Sequence, residues 1–388
     1  MQYPDLTVAC PAMRHSPAGH RSVPSTRQPH HVTVTREALR TTQSLVVTPA
    51  VVAHRGASGH RPEHTLDAYR TAIRMGVDDI ELDLVSTRDG VLVARHDAEL
   101  STTTDVASRA DLAHLRTTHT IDGVSQRGWF AQDLTLAQLK TLAACERMPR
   151  TRPGNAGFDG AEGIPTLNEV LAMVGAESAR RGRTVGVMLE LKHAAHHDAI
   201  GLPLDEPLLR DLARHGLDHP WARVTLMSFE TTVLRRLASR TKLPIIQLIE
   251  TLSTHPADLV AIGDPRSYGD LVTPAGLAWI DEYADGIGPH KSLILPRDSG
   301  DAIAEPSTLV RDAHRLWLTV HAWTVRGENR FLPSNLRHGS APDALGDMAA
   351  EVRALLAAGV DGVITDHPEA ALSAVRETLV GDWVPSVR

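Results

Sequence analysis

The chain has 388 residues, 42% of them hydrophobic and 22% charged, and 40 Lys+Arg against 47 Asp+Glu leave a formal charge of −7. This is a globular balance with ample chain for a large core, and no run approaches the ~18 consecutive apolar residues of a membrane span. A net negative chain without basic runs argues against nucleic acid as the main partner, so an anionic substrate would need a local positive pocket.

Residues 1–45 carry Pro4, Pro11, Pro17, Pro24 and Pro29 among scattered His, Arg, Ser and Thr, with no helical or strand period. A disordered N-terminal extension is expected there. The stretch also lacks the apolar segment of a secretory signal, which predicts a cytoplasmic protein. Over 46–382, short apolar runs alternate with amphipathic segments, the pattern of βα units around a parallel sheet or barrel. The expected strands are Ala50–His54, Asp79–Val85, Val91–His96, Thr184–Leu191, Arg223–Phe229, Ile245–Ile249, Gly286–Gly288, Trp317–Trp323 and Gly362–Thr365. The expected helices are Thr65–Met75, Thr135–Ala144, Leu167–Arg180, Glu206–His215, Glu230–Ala238, Thr308–Leu316, Asp347–Ala358 and Pro368–Thr378. Two stretches break the alternation, Ser101–Gly163 and Ser253–Ala275, and read as loop insertions at one end of a barrel. The nine expected strands are one too many for an eight-stranded (β/α)8 barrel. The second and third are joined by Arg88-Asp89-Gly90, however, and Asp-Gly between extended runs signals a hairpin, so the third reads as a return arm.

The hairpin carries a register argument. With Asp89-Gly90 as a two-residue loop, Arg88 faces Val91 and Asp83 lies opposite His96. Glu81, Asp83 and His96 then share one face, with Ile80, Leu82 and Leu84 on the other. A three-residue loop would put His96 on the wrong face. The bland alternative is a charged solvent face on an edge hairpin. Glu190 and Lys192 close an otherwise apolar strand at i, i+2 spacing. Charges on a buried strand are costly unless paired or metal-bound, and strand C-terminal ends carry the active sites of barrels. Lys192 is also one of only four lysines, with Lys140, Lys242 and Lys291. The bland alternative here is a surface ion pair. His54-Arg55-Gly56-Ala57 ends the first strand, and Pro62-Glu63-His64-Thr65 leads into a helix that Thr65 can cap. Alone, that is a capping turn.

Taken together, the carboxylates Glu81, Asp83 and Glu190 suit one hard divalent cation, Mg²⁺ or Ca²⁺. Neither the two cysteines, Cys10 and Cys145, nor any His spacing suggests zinc. Two flanking histidines can serve as general acid and base. Arg55 can fork onto phosphate oxygens and Lys192 adds a point charge, so the chemistry indicated is phosphoryl transfer.

The string His54-Arg55-Gly56-Ala57, Pro62-Glu63-His64-Thr65, Glu81-Leu82-Asp83, His96-Asp97 resembles the glycerophosphodiester phosphodiesterase family. Glu190-Leu191-Lys192, Ser228-Phe229, Trp323-Thr324-Val325 and Ile364-Thr365-Asp366-His367-Pro368 are similar to later family segments, with Arg326 where many members have Asn. The insertion after His96 and Glu282–Pro289 resemble the larger, periplasmic-type branch. The resemblance implies an α/β fold, a (β/α)8 TIM barrel with loop insertions at the catalytic end. It further implies hydrolysis of deacylated phospholipids such as glycerophosphocholine to glycerol 3-phosphate and an alcohol. His54 and His96 would be the acid/base pair and Glu81, Asp83 and Glu190 the metal ligands. Arg55, Lys192, Glu63 and Trp323 would bind the small-molecule substrate, Trp323 near the glycerol. The branch resemblance points to a periplasmic or secreted location, against the missing signal.

Two rival readings exist. A phospholipase D-like lipid hydrolase on a related barrel would need an exposed apolar rim, which four Phe, four Tyr and six Trp make unpromising. A barrel that binds glycerophosphodiesters without turning them over would not require both histidines and all three carboxylates.

Overall fold

In the computed structural model the described residues are Leu45 and 48–381. The strands, in chain order, are β1 (Ala50–Ala53), β2 (Asp79–Ser86), β3 (Leu92–Ala94), β4 (Thr117–Ile121), β5 (Val124–Gly128), β6 (Gly186–Leu191), β7 (Val224–Ser228), β8 (Ile245–Ile249), β9 (Gly286–Pro289), β10 (Thr319–Val325) and β11 (Gly362–Thr365). β1, β2 and β6 to β11 pair in parallel, and β1 meets both β11 and β2, so the sheet closes into an eight-stranded barrel. Closure follows from composition. These runs are buried on both faces, as parallel strands covered by helices must be. Val52, Met188, Met227, Ile246, Leu248 and Ile364 form one cluster that fills the barrel interior. A much larger apolar shell, including Ile80, Leu82, Leu189, Leu226 and Val320, lies between strands and helices.

Alternation along each strand decides which residues face inward at the C-terminal end. β2 and β6 run in register, with Glu81 beside Met188 and Asp83 beside Glu190. The two carboxylates therefore meet across one ladder step. The helix Leu66–Met75 starts where expected, with the Thr65 side chain accepting from the Ala68 N–H and Gly76 closing the end at φ +102°.

Three expectations need correction. The β2–β3 hairpin pairs Leu84 with Ala94 and Val85 with Val93. Thr87 and Val91 close a three-residue loop with Gly90 at φ +76°, so the register is one residue off the two-residue expectation. Arg95 rather than His96 faces Asp83, its N–H donating to the Asp83 carbonyl at 3.0 Å. His96 still reaches the site because β3 stops at Ala94 and strand alternation no longer applies beyond it. The helix expected over 135–144 is one turn, Leu136–Leu139, with a Thr135–Gln138 capping box. Both insertions hold structure of their own. The first carries the β4–β5 hairpin and a satellite core of Leu100, Val106, Leu112, Trp129, Leu139 and Leu142. The second carries the short helices Ala257–Ala261, Tyr268–Leu271 and Pro274–Ile280. The extension expected over 1–45 lies, apart from Leu45, outside the described residues. No described helix is long and apolar enough to cross a membrane.

Candidate active site

His54 leaves β1 at the C-terminal mouth. Its Nδ1 lies 2.6 Å from Asp366 Oδ1, and Asp366 also accepts from Arg152 Nη2 at 2.7 Å and Arg326 Nε at 2.8 Å. A carboxylate partner on Nδ1 fixes that nitrogen as donor and leaves Nε2 with the lone pair. Burial, then the Arg55 charge, hold the His54 pKa down at about 4, so the ring is neutral at pH 7. His96 has a parallel arrangement. Its Nδ1 lies 2.6 Å from Asp97 Oδ1, and Asp97 accepts from Arg147 Nη1 at 2.6 Å. Burial, then Arg55 and Lys192, push its pKa down to about 3.

Arg55 serves twice. It sits at φ +58°, which strains a non-glycine residue, and its main-chain N–H donates to Glu81 Oε2 at 2.8 Å. Its guanidinium reaches Glu63 at 3.1 Å and comes within 3.1 Å of Asp83. Gly56 follows at φ +83°, where a Cβ would come within 2.7 Å of the Ala68 backbone, so the turn needs glycine. Arg147 forks onto Glu63 with two hydrogen bonds of 2.7 Å. Burial opposes ionisation of Glu63, but Arg55 and Arg147 hold its carboxyl well below the usual range.

Glu81, Asp83 and Glu190 each present an oxygen, all within 4.8 Å of one another. Lys192 Nζ is 2.7 Å from Glu190 and 3.8 Å from Asp83. Burial works against charge on all three. For Asp83, Lys192 and Arg55 outweigh it and keep the carboxyl well below its usual value. For Glu81 burial, Asp83 and Glu190 all push upward. Glu190 also rises, because burial and Asp83 outweigh Lys192. Three hard oxygen donors, two of them short of positive charge, fit a divalent cation. Asp83 is oriented from behind by His64, fully buried, whose Nε2 lies 2.8 Å from Asp83 Oδ2 and whose Nδ1 lies 2.7 Å from the Tyr69 hydroxyl.

The structure brings the sequence-derived residues to one place. His54, Arg55, Glu81, His96, Glu190, Lys192 and Trp323 line one cavity of about 930 Å³. Asp83 is sealed beneath it, 1% exposed, and Glu63 lines an adjoining cavity of about 110 Å³ that shares His54, Arg55 and Arg147. Trp323 is fixed by its Nε1–H donating to the Gly288 carbonyl at 2.6 Å and packs edge-on against Phe229 and His290. Arg326, the departure from the family string, holds Asp366 and lies over the Phe331 ring. Sequence reasoning gave no role to Asp366, Asp97, Arg147, Arg152, Arg326 or His64. Asp97 and Asp366 stood inside quoted segments, each within one residue of a histidine. Nothing in the sequence marks the two arginines of the first insertion.

Comparison with known proteins places the chain in a family. The model of the glycerophosphoryl diester phosphodiesterase family matches residues 54–370. A glycerophosphodiester phosphodiesterase of Arabidopsis thaliana is 33% identical over 331 residues, 82% of this chain and 83% of that one. Another from Haemophilus influenzae is 27% identical over 340 residues, 82% of this chain and 87% of that one. Among solved structures, a Silicibacter pomeroyi chain superposes with a TM-score of 0.61 at 22% identity, covering 88% of this chain and 97% of that one. An Oleispira antarctica phosphodiesterase, solved with the product sn-glycerol-3-phosphate, superposes at 0.57 with 20% identity, covering 85% and 97%.

Proposed function

The chain belongs to the glycerophosphoryl diester phosphodiesterase family and is a phosphoric diester hydrolase, and on that premise we propose how its site works and on what. The substrate is a deacylated phospholipid such as glycerophosphocholine, cleaved to glycerol 3-phosphate and the free alcohol. One observation carries the reading. The buried carboxylates Glu81 and Glu190, with Asp83 sealed beneath them, line a cavity with two histidines, each of which has Nδ1 held by its own carboxylate. The product bound to the Oleispira antarctica phosphodiesterase is of the proposed kind.

Glu81, Asp83 and Glu190 would hold one Mg²⁺ or Ca²⁺. Such a cation, when bound, neutralises phosphoryl charge and polarises a phosphoryl oxygen. Arg55 and Lys192 meet the remaining negative charge, and Glu63 keeps the Arg55 fork aimed. One of His54 and His96 takes the proton of the nucleophile on Nε2, while the other delivers a proton to the leaving alkoxide. Both rings are neutral without substrate, and an anionic phosphodiester between them raises both pKa values towards the working range. Asp366 and Asp97 stabilise each imidazolium as it forms. Trp323 walls the glycerol side.

Release of glycerol 3-phosphate from glycerophosphocholine is the test, after chelation and then with Mg²⁺ or Ca²⁺ restored. Release only with cation supports the reading. Full activity in chelator, or none with either cation from a folded protein, overturns it.

A further inference from the structure

Arg95 is the largest of the fully buried side chains, 1% exposed. Its Nε, Nη1 and Nη2 all lack a hydrogen-bond partner among the described residues. The shifted hairpin register accounts for its place. β3 ends at Ala94, and the Arg95 N–H is bonded to the Asp83 carbonyl at 3.0 Å. Arg95 is therefore anchored behind one of the three site carboxylates, with His96 directly after it in the chain.

Burial pushes the Arg95 pKa below its ordinary value, yet a guanidinium stays charged in proteins and offers five N–H donors. The groups that act on it most strongly are Glu63, Arg147, Asp97 and Tyr69. Each is already committed. Both Glu63 oxygens take hydrogen bonds from Arg55 and from Arg147. One Asp97 oxygen meets His96 Nδ1 and the other meets Arg147 Nη1. The Tyr69 hydroxyl lies 2.7 Å from His64 Nδ1, and burial raises its pKa well above the usual value, so it brings no charge.

A buried charge left this way is expensive. Water accepts hydrogen bonds but brings no countercharge. An anion does both. A monatomic one suits an enclosed guanidinium, because it accepts N–H groups from any direction and needs no opening to solvent. We propose that Arg95 holds a buried chloride ion. The anion supplies the missing acceptor and countercharge, and it props the strand end that sets the Asp83 carbonyl and the start of the His96 turn. Its role is structural, so it does not depend on which diester the enzyme cleaves.

Two measurements test this on the full chain. The first is an anomalous difference map from crystals of the protein soaked in bromide, where a peak in contact with the Arg95 guanidinium is expected. The second is melting temperature against chloride concentration, with sodium gluconate holding ionic strength constant and Mg²⁺ supplied as the gluconate. An anion bound only by the folded state makes the melting temperature climb with the logarithm of its concentration, here by at least about 2 °C from gluconate to saturating chloride. Arg95→Met keeps an unbranched stem and removes the charge. Its melting temperature should be flat in chloride, and in gluconate it should equal or exceed that of the native protein, because no uncompensated charge remains buried. No bromide peak at Arg95 overturns the proposal and assigns those N–H groups to water. A peak without any chloride dependence of the native melting temperature marks an adventitious ion only, and overturns it too. So does a chloride dependence that Arg95→Met retains, which puts the anion elsewhere. If Arg95→Met does not fold, the bromide map and the chloride dependence of the native protein decide.

Discussion

The two stretches that interrupt the barrel alternation do opposite work at one mouth. The first, between β3 and β6, packs on its own apolar core and sends Arg147 and Arg152 into the charged end, onto Glu63, Asp97, Asp366 and Glu328. The second, between β8 and β9, is three short helices, and its Ala257, Val260 and Ala261 face the other end. The difference follows from what the barrel lacks at each end. Asp366 and Glu63 are buried carboxylates that need more positive charge than Arg55 and Arg326 supply, because unpaired buried charge is expensive. The first insertion provides it, so it is built into the charged end. The second adds surface that the chemistry does not require. Insertion length says nothing about which role is played; the charges left over by the strands do.

This contrast can be broken from several sides. The largest effect is expected at the charged end itself. His54→Ala and His96→Ala should each cut turnover on the order of 10²- to 10⁴-fold while cation affinity, read by calorimetry, persists. Near-normal turnover in both removes the acid/base assignment. Next comes the first insertion. Arg152→Met leaves Glu328 and part of the Asp366 charge uncompensated where the residues are 2% exposed, and breaking such pairs costs about 3–5 kcal/mol. A marked fall in melting temperature should accompany a roughly 10- to 100-fold loss of turnover, the size seen for groups that orient a first-line residue. Arg147→Met should do less to stability, since Glu63 keeps Arg55 and Asp97 is partly solvated.

The cation offers a third test. Glu81 and Glu190 are raised in the cation-free protein. They therefore keep protons above the ordinary carboxylate range and must release them when a cation binds. Affinity should rise with pH through the neutral region, with proton uptake by buffer visible in calorimetry; a flat profile contradicts it. The same shifts make the cation-free fold lose stability as pH rises above the usual carboxylate pKa of about 4.3, because the native state holds protons that the unfolded chain gives up. His54 contributes the opposite slope on the acid side. Its pKa falls from 6.5 to about 4 on folding, so the stability it contributes is present above pH 6.5 and is lost as pH drops towards 4. His54→Gln should flatten that part of the thermal stability profile. Smallest of all, Val260→Ala in the second insertion should leave stability within about 0.5 kcal/mol.

Much of the barrel was legible because its signals are local. Apolar runs, a Thr cap and the ends of strands sit within a few residues of the features they determine. The acidic triad was legible for the same reason: carboxylates at i, i+2 on one strand and at the close of another have few other uses on buried backbone. The hairpin register was misread because Asp-Gly fits both a two-residue loop and a three-residue loop with glycine in the left-handed region. The charge cage was not legible at all. Arg152 and Asp366 are 214 positions apart, and only the closed sheet makes them neighbours. Helices inside the insertions escaped because segments of four to seven residues leave no period to detect.

The turn at Arg55 has a practical consequence. Its main chain carries the hydrogen bond to Glu81, while its side chain carries the charge that meets Glu63 and Asp83 and that the proposed mechanism turns to phosphate. Its φ of +58° is one that glycine adopts without cost. Arg55→Gly should therefore keep the cradle, relieve the backbone and leave a vacant slot shaped for a planar cation. Guanidinium supplied from solution could then act as a removable cofactor, making turnover adjustable by an external reagent and separating, in one protein, the part of catalysis owed to that charge from the part owed to the scaffold.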